Sequence, residues 1–101
     1  MVPKRFATRR VERQLRSVVL DLAQARERAV VAKEQFEVVR EDDEEARIRS
    51  LGSERVEDRH VADQTRRHAE LMRVALTRAE AEVASLERLR DDLLARYEPT
   101  G

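Results

Sequence analysis

His60 and His68 are the only imidazoles in the chain. His60 lies three residues after Glu57, and Glu-x-x-His on a helix is the spacing by which di-iron and di-manganese bundles offer two ligands from one face. Such a centre needs two of these pairs plus two further carboxylates, all aimed into a bundle core. Here Glu57 and His60 fall on the outward side of the helical register, where a solvated face is the ordinary reading. A second copy would have to supply the second pair, with Glu41 or Glu44 completing the set. No metal and no cofactor is therefore expected. Ser17, Ser50, Ser53 and Ser85 have no histidine close by in sequence to activate them, and a rod-like chain offers no pocket to exclude water. With only Gly52 and Gly101 present, a glycine-rich phosphate loop cannot be built. The residues point to a non-enzymatic protein.

Binding chemistry is better represented. Lys4, Arg5, Arg9, Arg10, Arg13 and Arg16 crowd the first sixteen residues against a single acid, Glu12. Such a strip can neutralise several phosphates, which makes a nucleic-acid contact the alternative function. Phe6 alone offers little base stacking. The chain as a whole is balanced, with 21 basic and 21 acidic residues. Residues 80–98 carry an excess of acids (Glu80, Glu82, Glu87, Asp91, Asp92, Glu98) that a folded-back chain would lay beside the arginines. A charged face answered within the molecule is the expectation.

The elements that must position these residues are legible from periodicity. Leu15, Leu22, Ala29 and Phe36 recur at one heptad position, and Val11, Val18, Ala25, Ala32, Val39 and Ala46 at the other. Thr8 and Asp43 are the polar exceptions. Ten apolar residues fill these twelve positions, where a 41% hydrophobic composition would place about five. Alternating spacings of three and four mark a coiled-coil seam. The spacing predicts a helix from about residue 4 to about residue 50, roughly 70 Å long at ~1.5 Å per residue. Pro3 suits its start.

A break is expected over residues 50–53. Gly52 is placed to take the left-handed conformation past a helix end, and Ser53 to cap the next helix. The register changes there as well: the first seam, extended forward, misses the second by two residues. The second seam runs through Ala62, Ala69, Leu76, Val83 and Tyr97, alternating with Met72, Ala79, Leu86 and Leu93, with Thr65 and Arg90 as polar exceptions. This predicts a helix over about 54–98, ended by Pro99.

Two long helices joined by a short turn pack antiparallel, so the fold class is an all-α two-helix coiled-coil hairpin forming one domain. Val11, Leu15, Val18 and Leu22 should meet Val83, Leu86, Leu89 and Leu93, with Ala25, Ala29 and Ala32 near Ala79, Ala75 and Met72. Folding back should also set the acidic run 41–45 beside Arg55 and Arg59, with Arg66 and Arg67 near Glu37. Straight rods paired in parallel would instead stack that run on its own copy.

Some apolar residues lie off the seam. Val31, Val38, Val61, Leu71 and Ala75 fall on one flank, with Val30, Val74 and Leu20 further out. A pair of helices is a thin fold, and four make a bundle, so this flank predicts a covering partner, most simply a second copy in a dimeric four-helix bundle. The implied function is a coiled-coil interaction module, an adaptor or scaffold subunit that binds other helices and itself, with a further, unidentified protein as partner. Charged residues at 42%, aromatics at 3% and the absence of cysteine fit this class and exclude a disulfide framework or a thick globular core. No stretch is apolar enough to span a bilayer, and a soluble, cytoplasmic protein is the expectation.

The length and hairpin plan also resemble the small secreted helical-hairpin proteins that carry Trp-x-Gly at their turn. In this chain the turn reads Ser50-Leu51-Gly52, without the tryptophan, and the residue four after Tyr97 is Gly101 rather than the acid of their export signal. The resemblance implies secretion as a second alternative.

The turn end carries Asp43 and Thr65 on its seam and few large apolar residues. Amide hydrogen exchange should be fastest over residues 41–60, and protection there equal to that of residues 11–25 would contradict this distribution of the core.

Overall fold

The computed structural model describes residues 4–97, with side chains from Thr8 onward. Two helices make up these residues: α1 over Lys4–Leu51 and α2 over Val56–Arg96. They pack against each other into a rod with extents of 76 × 19 × 15 Å. Every α1 register position from Thr8 to Ala46 is buried or half-buried, including the polar Thr8 and Asp43. The α2 register from Ala62 to Tyr97 behaves in the same way. The most deeply buried side chains are Ala25, Leu22 and Leu93, at 1%, 2% and 2% exposure. Two polar seam residues are satisfied locally: the Thr65 hydroxyl donates to the Ala62 carbonyl at 3.1 Å, and Arg90 Nε donates to Asp91 at 3.2 Å.

The connection differs from the expected one. It occupies Gly52–Arg55, so α1 runs one residue further and α2 starts two residues later than the turn chemistry suggests. No described residue, Gly52 included, has a positive φ. Ser53 does not cap α2 either; Arg55 stands at that position without a side-chain cap hydrogen bond. Instead the Ser53 hydroxyl oxygen accepts the Arg55 N–H at 3.0 Å and its O–H donates to Asp58 at 2.5 Å, while the Ser53 N–H returns to the Ser50 carbonyl at 3.3 Å. The serine thus folds the linker over itself, an ST-turn in place of a cap. At the far end Tyr97 is the C-cap residue, its N–H bonded to the Leu94 carbonyl. Pro99 lies outside the described residues.

Shifting the connection shifts the pairing, because each residue by which a hairpin turn moves changes the facing partner by two. Glu12 meets Tyr97, Arg28 meets Glu82, and Ala46 and Thr65 share one groove. The stagger is displaced by more than one helical turn from the expected match of Leu15 with Leu89. Leu89 is 43% exposed and lies off the seam, and Ala75 is likewise exposed rather than packed on Ala29.

Gly52 has negative φ, and a Cβ built there would meet nothing within 4 Å. Gly52→Ala should therefore raise stability by about 0.4–1 kcal/mol, through the reduced freedom of the unfolded chain. Urea denaturation checks this; a loss of stability would show that the turn does need glycine.

Candidate interaction surface

In an antiparallel pair the residues bordering the seam form two flanks, one on each side of the rod. One cross-helix ion pair marks each: Arg28–Glu82 at 2.8 Å on the first flank, Arg26–Glu87 at 3.7 Å on the second. The first flank bears the exposed apolar residues singled out by the sequence. Val38 is 60% exposed and Leu71 65%, with Val31 and Val61 also exposed. Ala75 joins them. Val74 does not belong with this set, because it is half-buried.

Three concave stretches lie on this flank. One groove of about 430 Å³ is lined by Arg28, Val31, Ala32 and Gln35 among others. The next, of about 520 Å³, is bounded by Gln35, Val38, Val39, His68 and Met72. A third, of about 240 Å³ and lined by Asp42, Ala46, Arg49, Val61 and Thr65, leads to the turn. The three form a shallow furrow along one side of the rod. Small seam residues produce it: Ala32, Ala46 and Thr65 leave the helix surfaces bare where larger side chains would fill the notch.

The basic strip occupies the other end of the rod. The side chains of Lys4 and Arg5 fall outside the described part. Arg9, Arg13 and Arg16 line a depression of about 390 Å³ together with Glu12, and Arg10 is exposed nearby. Among the described residues, no acid lies within ion-pairing distance of Arg9, Arg10 or Arg13, while Arg16 reaches Glu12 at 3.8 Å. The expected neutralisation by the acids of residues 80–98 does not form at these described arginines. Glu82 and Glu87 instead reach Arg28 and Arg26, and Glu12 is engaged by the Tyr97 hydroxyl at 3.3 Å. The acidic tip is similar. Glu45 pairs with Arg49 on its own helix, Arg55 with Glu57, and Arg66 with Asp63, not across the hairpin as expected. Local i, i+3 and i, i+4 geometry wins because long exposed side chains lose less freedom reaching one turn along than across the seam.

Elsewhere Arg73 donates to both oxygens of Glu70, at 3.0 and 2.6 Å. That hydrogen bonding holds the Glu70 carboxyl below its ordinary range and pushes the guanidinium up. His60 approaches Gln64 at 3.3 Å and Glu57 approaches Arg55, so the Glu-x-x-His pair is not gathered with other ligands. Among the described residues, no three His, Asp or Glu side chains come together as a metal site, and no helix is long and apolar enough to cross a membrane. Compared with known proteins, the chain matches no family model, no curated protein and no solved structure.

Proposed function

We propose that this chain is a non-enzymatic, cytoplasmic coiled-coil module that acts as an adaptor or scaffold subunit, self-associating through its furrowed apolar flank into a dimeric four-helix bundle. The observation that carries the reading is the coincidence of two properties on one side of the rod. Val31, Val38, Val61, Leu71 and Ala75 are exposed there, and the grooves run there too. An apolar, concave stripe at helical spacing is the surface into which another helix lays its own apolar face. A hairpin this thin gains most by burying it, because α1 offers only the small Ala25, Ala29 and Ala32 to the middle of its own seam. The same stripe offers a helix of a different protein a place to dock, which is how a scaffold subunit would recruit.

Replacing Val38 and Leu71 together by Glu should weaken self-association at least tenfold, given ~1.5–3 kcal/mol for burying each side chain and ~1.4 kcal/mol per tenfold. Helicity should be unchanged, since both residues are exposed in the hairpin. Sedimentation equilibrium with circular dichroism measures the two quantities. A wild-type chain that stays monomeric at high concentration refutes the reading.

A second reading has its own observation: the unanswered Arg9, Arg10 and Arg13. α1 has no acid in its first turn to offset them. A phosphate polymer would be held by this strip. Changing the three arginines to Gln should then lower the slope of log affinity against log salt by about 2–3, at ~0.7–0.9 per phosphate contact. Nucleic-acid binding that ignores both salt and these substitutions would exclude the strip as the contact.

A further inference from the structure

We infer that the second copy lies across the flank in the reverse direction, related by a two-fold axis that passes through Gln35 and Ala75; this rests on the self-association proposed above. One heptad on from the Arg28–Glu82 ion pair, Gln35 and Ala75 stand level with each other on the two helices. Both belong to the rows of residues that border the furrow. Along α1 that row reads Asp21, Arg28, Gln35, Asp42, Arg49; along α2 it reads Val61, His68, Ala75, Glu82, Leu89.

Each row is complementary to its own reverse. Turned about Gln35, Arg28 falls on Asp42 of the second copy and Asp21 on Arg49, while Gln35 meets itself. Turned about Ala75, Val61 falls on Leu89 and His68 on Glu82, while Ala75 meets itself. Every carboxylate of the α1 row meets a guanidinium, Val61 meets Leu89, and the Glu82 carboxylate meets an imidazole whose ring N–H it can accept. Two rows on two helices share this property about one common level, which the fold, not the sequence, brings into line. In the next row out, Val31 falls on Val38 of the second copy, and Leu71 beside the methylene stem of Arg78. Leu89, left 43% exposed by the observed stagger, thereby gains an apolar neighbour.

The other closed arrangement has its two-fold axis along the rod and sets each helix on the opposite helix of the second copy at the same height. It places Asp21 against Leu89, Arg49 against Val61 and Gln35 against Ala75. It also brings the basic ends together and the acidic tips together. Desolvating charges on apolar side chains costs free energy, and like-charged ends repel. Arg28 and Arg49 already bond Glu82 and Glu45 within the hairpin, and each guanidinium keeps further donors for a second carboxylate.

The chain has no cysteine, so Leu20→Cys and Ile48→Cys each give a single spin-label site; both side chains are exposed and off the furrow. In the reversed pair, each label should lie about 40–50 Å from its copy, at ~1.5 Å of rise per residue from the axis. A dimer in which both separations stay under ~30 Å, about the width of a bundle, overturns the inference and leaves self-association standing. A sample with no intermolecular dipolar signal, sedimenting as a monomer, overturns both. Charge reversal gives a second readout by sedimentation. Asp21→Arg should weaken the dimer roughly three- to tenfold, because symmetry repeats the contact twice, and Asp21→Arg with Arg49→Asp should restore it. A dimer that the second substitution fails to rescue contradicts the proposed contact.

Discussion

The structure depends on a single contact line, the apolar seam between α1 and α2. Little else holds the rod: among the described residues there is no second layer, no disulfide, and only two ion pairs cross between the helices. The largest fully buried side chain is Leu93. Much of the seam is alanine, which brings the helices close and contributes little area per residue. Stability must therefore come from length, with many small contributions summed over the 76 Å of the rod. The two ends are fastened by polar means, Ser53 with Asp58 at the turn and Tyr97 with Glu12 at the open end.

Charge in this chain sorts itself mostly along the helices and not between them. With 42% charged residues, an antiparallel pair has ample opportunity for bridges across the seam. Most ion pairs nevertheless form within one helix, from Arg16–Glu12 to Arg73–Glu70. The electrostatic pattern thus contributes little to closing the hairpin. What it leaves is uneven: among the described residues, Arg9, Arg10 and Arg13 pair with no acid at the open end, and the tip is rich in carboxylates.

The seam was fully legible in the sequence because burial repeats with the helix, and a periodic signal survives any error at its ends. Asp43 and Thr65 stayed in register despite their polarity for the same reason. The stagger was not legible. It depends on four connecting residues, and the general preferences of Gly52 and Ser53 suggest a left-handed glycine and a serine cap, neither of which forms. A hydroxyl that can serve several backbone donors does not announce which it will choose. A displaced turn changes the facing partner along the whole rod, so Leu89 lies outside the core, Ala75 keeps its flank position without packing on Ala29, and the arginines meet other acids than the expected ones. The exposure of Val31, Val38, Val61, Leu71 and Ala75 is legible all the same, since it is defined by position on one helix and needs no knowledge of the opposite one; Val74 is the exception, half-buried.

The Tyr97–Glu12 hydrogen bond spans 85 positions of sequence. It closes nearly all of the described chain into a ring and brings both strand exits to one pole of the rod, with the turn at the other. Any tether joined to either end departs from that same pole. In the reversed pair proposed above, the two copies would present these poles at opposite ends of the assembly.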